Sequence, residues 1–437
     1  MFRDKRSGFL SEVIQQSQCR YGSTVGTGNV AILLFGFVPS PVSLSPPIPV
    51  SNFEVFELRS SGSAGVLKRA SNVYDEADII RDQSTIHKPG SRRYSKQQSL
   101  RLPVMSSVQQ VPPALCAATG LNSDHLVVLS HGIMGTGQDL GFLANLLESQ
   151  GCHVLRSVSS EGLSSLSGLR TCGEKLAAEI STCITDNSHL KRLSVVGNSL
   201  GGLYMRYALR ILFCDSDYTI GGLRSHKFMS IATPHLGIRN WTFTDDYGFA
   251  APDIIKLAVS KAMMTTGRDI FGFEEDSDSE TLLFKMATDS AFLSPLRSFS
   301  DRRLYANLNR DLVVPLGTAA FVNDDDVNLF RKDYYGKSGI VTIIKTSVIS
   351  ADYNKSISSS PVDEKNRTDA MRGCLDSLGW DKVIVNFPGY LPIAHNQICA
   401  LNRQPKWLFN SILGCNAGEF LMQNACDWLL DSADSHL

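Results

Sequence analysis

A serine with a glycine two residues away on each side, Gly197-Asn-Ser199-Leu-Gly201, separates an apolar run from a helical stretch. The bare pattern is weak, and its setting gives it meaning: a strand before it and a helix after it. A nucleophile in that position occupies a sharp, strained turn, where side chains two residues either way would collide, so Gly197 and Gly201 suit the requirement. The turn would lift the Ser199 hydroxyl above a sheet edge and set the helix's first amides beneath it, where they favour negative charge. An ordinary glycine-rich strand–helix turn is the plainer reading. A serine nucleophile also needs a base and a carboxylate to orient that base. On doubly wound sheets both follow in the order Ser, acid, His. Only His395 and His436 lie beyond residue 311, and His436 is next to last in the chain. His395, in Pro392-Ile-Ala-His-Asn396, is therefore the candidate base, against the reading of an incidental loop histidine. Asp311, directly after the apolar run Leu304–Leu308, is the candidate acid, against a capping or salt-bridging role. Its neighbours Asp324-Asp-Asp326 read as a solvated turn. Ser130-His-Gly-Ile-Met-Gly135 closes an earlier apolar run. It could offer one backbone N–H toward Ser199, from Ile133 or, second, from Met134, and Leu200 would give the other donor of an oxyanion hole.

These residues require elements to hold them. Leu126–Leu129, His153–Leu155, Leu193–Val196 and Phe228–Ile231 read as buried strands. Helical spacing recurs over Arg170–Ile184 and Leu203–Phe213. Strand and helix alternating over this length predict βαβ units and a mostly parallel central sheet flanked by helices. Between Gly237 and Arg302 the strand rhythm stops. Helical stretches at Ile254–Met264 and Leu282–Leu293 flank the acidic segment Glu274–Asp278. Residues 238–301 are thus expected to form a helical insertion, either a mobile lid or a fixed cap, with Ile254, Leu257, Ala258 and Met264 as its apolar surface. Strands resume at Leu304–Leu308, Ile340–Ile344 and Val383–Phe387, Asp352–Arg367 reads as a surface loop, and a helix over Glu419–Leu430 closes the domain.

The chain balances 42 basic against 43 acidic side chains and has a mean hydropathy of −0.05. That is globular composition, with no electrostatic reason to expect a nucleic-acid partner. The longest apolar run, Val30–Val38, is far short of the roughly 20 residues that cross a bilayer. The ten cysteines form no CxxC pair and the histidines no H-E-x-x-H, so no metal is implied. Without a phosphate-cradling or dinucleotide glycine motif, no cofactor is implied either. The first 110 residues differ from the rest, with 13 Lys/Arg against 8 Asp/Glu and a Pro/Ser tract at 38–50. Residues 1–120 are expected to be a low-complexity, disordered extension. An organelle transit segment and a true start near Met105 are alternatives. The expected setting is intracellular, cytoplasmic or organellar (plastid included).

Ser130-His-Gly132, Gly197-Asn-Ser-Leu-Gly-Gly202, Ala232-Thr-Pro-His-Leu-Gly237, Ala306-Asn-Leu-Asn-Arg-Asp311 and Ala394-His395 together resemble the putative serine esterase family, a lipase-like branch of the α/β-hydrolases. The likeness spans about residues 122–430 and is carried most distinctively by Thr-Pro-His-Leu-Gly. It implies an α/β-hydrolase domain over 121–432 with Ser199 as nucleophile, Asp311 as acid and His395 as base. Asn198 stands where His is commonest in that family. The activity implied is carboxyl-ester hydrolysis through an acyl-enzyme, on a small-molecule or lipid ester, with contact at a membrane or lipid-droplet surface. Thioester or amide cleavage by the same triad, or a non-catalytic binding role, are the alternatives. His235 is assigned to structure. Oligomeric state is not encoded.

Overall fold

The computed structural model describes residues 123–238, 253–272, 281–349, 364–389 and 391–431. The expectations for residues 1–120, for Glu274–Asp278, for the loop at 352–363, for His436 and for the side chain of Ile254 lie outside them.

Seven strands form the body of one sheet. They are β1 (His125–Ser130), β2 (His153–Arg156), β3 (Arg192–Asn198), β6 (Leu223–Ile231), β7 (Asp301–Asn307), β8 (Gly339–Lys345) and β9 (Asp381–Asn386). A short β4–β5 hairpin (Phe213–Cys214, Thr219–Ile220) pairs onto β6. The order is β2-β1-β3-β6-β7-β9-β8. Every neighbouring pair on that path is parallel except β8 with β9. Central strands covered on both faces read as apolar runs, and their alternate residues feed two cores. Leu126 and Val128 of β1, Leu193 and Val195 of β3 and Leu304 of β7 point into one core, with the helices Leu169–Asp186 and Leu200–Leu212. Val127, Leu129, Val196 and Tyr305 point into the other, against the helices Gly141–Ser149 and Glu419–Leu430. This is the α/β-hydrolase architecture that the motifs implied.

The strands anticipated from apolar runs all form, most of them longer than the runs; β7 and β9 begin earlier than expected and end one residue short, leaving Leu308 and Phe387 outside the ladder. Several other expectations change. Asp324–Asp326 is not a turn: it opens the helix Asp324–Asp333, where Asn323 Oδ1 accepts from Asp326 N at 2.8 Å and three carboxylates face the positive helix end. Glu364–Arg367 belongs to the helix Glu364–Asp376 rather than to a loop. Leu282–Leu293 breaks at Asp289, whose carboxylate caps a second helix, Ser290–Arg297, by accepting from Ala291 N at 2.9 Å. The stretch 254–264 likewise becomes two helices, Asp253–Ala262 and Met264–Phe271, because Met264 takes a left-handed φ of 55°. The helix Gly141–Ser149 went unread, although Leu140, Leu143, Ala144 and Leu147 carry its buried spacing.

Candidate active site

Strands β1 and β3 are parallel neighbours whose connections leave toward opposite sides of the sheet, β1 leading outward to β2 and β3 inward to β6. Such a switch point opens a crevice at the carboxyl ends of the strands. Ser130 pairs with Gly197 there, so the segment after β1 and the turn after β3 emerge side by side. Ser199 occupies that turn with φ 54° and ψ −127°, a conformation that costs a non-glycine residue on the order of 1–3 kcal/mol. The backbone crowds it. A Cβ on Gly197 would lie 2.3 Å from Gly202 Cα, and one on Gly201 would lie 2.2 Å from the Ser130 carbonyl oxygen.

The Ser199 amide donates to the Ile231 carbonyl at 2.8 Å, which ties the elbow to β6 and removes that N–H from any other use. Leu200 is the first residue of the following helix, so its N–H is one of the unclaimed amides at the positive helix end. On the β1 side Gly132 presses against Ser199: a Cβ there would stand 2.6 Å from Ser199 Cβ. The two amides weighed as second donor differ in availability. Met134 N–H is held by Ser165 Oγ at 2.8 Å, whereas no bond to Ile133 N–H occurs among the described residues.

Asp311 is buried and four donors converge on it. Oδ1 accepts from the amides of Val313 (3.0 Å) and Val314 (2.8 Å), and Oδ2 accepts from Asn307 Nδ2 at 2.7 Å and faces His395 Nδ1 at 3.0 Å. An ionised carboxylate only accepts, so the Nδ1 facing it carries the proton and Nε2 is left with the lone pair. His395 stands in the first turn of the short helix Ala394–Gln397 after β9, not on the loop anticipated for it. Ser199, Asp311 and His395 thus follow β3, β7 and β9 at one edge of the sheet. The Asp311–His395 bond is made, while Ser199 Oγ is buried without a hydrogen-bond partner among the described residues.

A small, partly open apolar cavity lies against Ser199 and Leu200, walled by Ile133, Val313 and Val314 on one side and by Met263 and Ile270 from the insertion. Its free space, about 10 Å³, suits about one water molecule. The insertion helix Met264–Phe271 is pinned over it. Thr266 Oγ1 accepts from Gly168 N (2.9 Å) and donates to the Ser165 carbonyl (2.8 Å), and Asp269 Oδ2 accepts from Leu169 N (2.7 Å). Leu257, Ala258 and Met264 face outward.

His235 is fully buried beside Phe321 and Trp380. Arg206 can only donate, and its guanidinium approaches His235 Nδ1 at 3.3 Å, so the ring's Nε2 carries the proton toward Ser230 Oγ at 2.9 Å. Burial, then the Arg206 charge, holds its pKa well below the usual histidine range. The side chain is neutral and turned toward the sheet. No group of three or more His, Cys, Asp or Glu that could hold a metal ion occurs among the described residues.

Residues 121–324 match the family described as "Putative serine esterase (DUF676)". The resemblance carried by the motifs holds over that segment. The serine esterase match includes the elbow, the β1 segment, the insertion and Asp311, and ends before His395. Among similar proteins, putative lipase ROG1 of Saccharomyces cerevisiae is 28% identical over 244 residues, 53% of this chain and 34% of that one. Putative lipase YDL109C of the same yeast is 26% identical over 216 residues, 48% and 32%. The match spans about a third of the length of these relatives. Among solved structures, carboxyl esterase 2 from Tuber melanosporum aligns with 71% of this chain and 79% of its own at 13% identity and a TM-score of 0.39.

Proposed function

We propose that this chain is a carboxylic ester hydrolase that works through Ser199, His395 and Asp311 by way of an acyl-enzyme. The observation that carries the reading is the buried Asp311–His395 pair, 3.0 Å apart, on the same strand-end edge as a serine held at a strained elbow. Asp311 fixes the Nδ1–H tautomer, and His395 Nε2 takes the Ser199 proton as Oγ attacks the ester carbonyl. The resulting oxyanion is held by the Ile133 and Leu200 amides; one such donor contributes about 3–4 kcal/mol to lowering the barrier. The alcohol departs with the proton from His395, and a water deprotonated by His395 then releases the acid. In a resting enzyme the nucleophile–base hydrogen bond is often open and tightens with substrate, which accommodates the unpartnered Ser199 Oγ.

The acyl group is the part of the substrate that the apolar cavity suits. With space for about one water, Met263 or the helix Met264–Phe271 that follows it must shift before more than a short chain enters. The bonds from Thr266 and Asp269 favour a fixed cap with local adjustment over a lid that swings as a body. Exposed apolar side chains at Val158 and Leu163 after β2, Leu391 after β9 and Met264 on the cap suit contact with a lipid surface, and with it acyl lipids as substrates.

The test is fluorophosphonate labelling of the full chain beside Ser199→Ala, followed by turnover of matched ester, thioester and amide substrates. Labelling and ester turnover that vanish together in the variant are expected. A folded protein that stays unlabelled with and without detergent micelles would overturn the reading and favour a binding role.

A further inference from the structure

Asp139 and Arg403 form an ion pair that ester hydrolysis, as described, leaves without a part. Arg403 Nε donates to Asp139 Oδ1 at 2.7 Å and a terminal nitrogen donates to Oδ2 at 2.5 Å. The two side chains are only 7% and 2% exposed. Removing both charges from water costs several kcal/mol per ion, so such a pair is a weak source of stability, and well-packed apolar residues can often replace it without loss. What the pair does supply is fixed geometry, because two parallel bonds set distance and orientation together.

The pair joins two segments that the sheet leaves independent. Asp139 ends the segment after β1, which carries Gly132 and Ile133. Arg403 lies in the segment after β9, eight residues beyond His395. Three strands separate β1 from β9, so no ladder bond relates one segment to the other. A second link runs alongside, from Asn402 N to the Asp139 carbonyl at 3.1 Å. Each partner is tied back toward the site. The Asp139 carboxylate accepts from Thr136 Oγ1 at 3.1 Å, and a Cβ on Gly135 would fall 2.9 Å from Oδ2 and 2.6 Å from His131 Nδ1. Leu401 N donates to the Asn396 carbonyl at 3.1 Å and Ile398 N to the Ala394 carbonyl at 2.9 Å, a continuous run back to His395.

We infer that Asp139 and Arg403 are positioning residues that hold the Ile133 oxyanion donor and the base His395 at a fixed separation across the sheet. The inference rests on the ester-hydrolase reading above. The experiment compares the full-length protein, Asp139→Leu/Arg403→Met, Arg403→Lys and Ser199→Ala, with p-nitrophenyl butyrate turnover and thermal melting read on each. A misplacement of about 1 Å can cost on the order of 100-fold in rate, so the double variant is expected to melt near the wild type while kcat falls about 10- to 100-fold and KM stays within about twofold. Arg403→Lys keeps opposed charges without the two-bond geometry and should fall between them. Unchanged kcat in a folded double variant would overturn the inference and leave the pair a structural one. Should the double variant not fold, Arg403→Lys decides: reduced kcat at unchanged melting supports positioning, and unchanged kcat refutes it. A wild-type protein with no turnover above Ser199→Ala would remove the ester-hydrolase reading itself, a different outcome from an active wild type with an equally active double variant.

Discussion

Asp311 Oδ2 and His395 Nδ1 are 3.0 Å apart although 84 residues separate them in the chain. Strands β7 and β9 are parallel neighbours, so the two segments leave the sheet at one edge and the acid and the imidazole meet there. Asp311→Asn keeps the shape but turns an acceptor into a group that can donate, which favours the wrong imidazole tautomer. A loss in kcat on the order of 10⁴ is expected, with KM little changed. Steady-state kinetics on a short-chain ester would check it, and a loss below about tenfold would count against Asp311 as the orienting acid.

Gly201 marks the closest backbone approach at the elbow. Because the atom that an added Cβ would meet is the Ser130 carbonyl oxygen, at 2.2 Å, the neighbour cannot rotate away. Gly201→Ala should destabilise the fold by about 1–3 kcal/mol and slow labelling of Ser199. Denaturant unfolding beside labelling kinetics reads both, and full stability with full labelling would contradict the crowding described for the turn.

Met263 is buried and lines the cavity at Ser199. Met263→Ala enlarges the cavity and should move the acyl-length optimum toward longer chains, whereas Met263→Trp should move it toward acetyl esters. Relative kcat/KM over a series of p-nitrophenyl esters reports the shift. Identical profiles in both variants would place the acyl group elsewhere.

A histidine pair away from the site, His125 buried and His226 half-buried, makes folding sensitive to acid. His125 Nε2 lies 2.8 Å from Ser194 Oγ, which on its other side lies 3.2 Å from His226 Nδ1. Burial first, then the charges of His226 and Arg192, press the His125 pKa down to about 3, and burial and Lys227 press His226 down to about 4. Both folded values lie below the usual 6.5, so as pH falls through that window the unfolded chain takes up protons that the folded chain refuses. The stability is fully present above the window and is lost as pH drops, with a limiting slope of about 1.4 kcal/mol per pH unit for buried His125 and less for the half-exposed, solvent-screened His226. Melting at about pH 5 should therefore fall below that at about pH 7.5, and His125→Gln should show a smaller drop. An equal drop in that variant would assign the acid sensitivity to other groups.

Much of this was legible along the chain because it depends on local order. Parallel strands covered on both faces must be apolar throughout, so Leu126–Leu129, Leu193–Val196 and Val383–Phe387 announce themselves. The elbow is readable because the steric demand at Ser199 falls on residues two positions away. Sequence order together with a count of histidines narrowed the base to His395, with no knowledge of distance.

Other features needed the folded chain. Asn323 and Asp324–Asp326 suit an exposed turn as well as a helix start, and the apolar spacing over Leu282–Leu293 does not show that Asp289 breaks it, until the backbone direction is set. The left-handed Met264 that splits the insertion helices has no glycine or asparagine to signal it. Sequence already puts Ile133 ahead of Met134 as the second donor, but that Ser165, 31 residues on, holds the Met134 N–H is visible only in the fold. The Asp139–Arg403 bond spans 264 residues and three intervening strands. Sequence by itself determined which residues could do chemistry and which element each must follow, because those are constraints of steric fit and period. Which amide is free, how small the cavity at Ser199 is and what ties the segments after β1 and β9 together were decided by tertiary structure, because each depends on atoms that become neighbours only when distant strands pair.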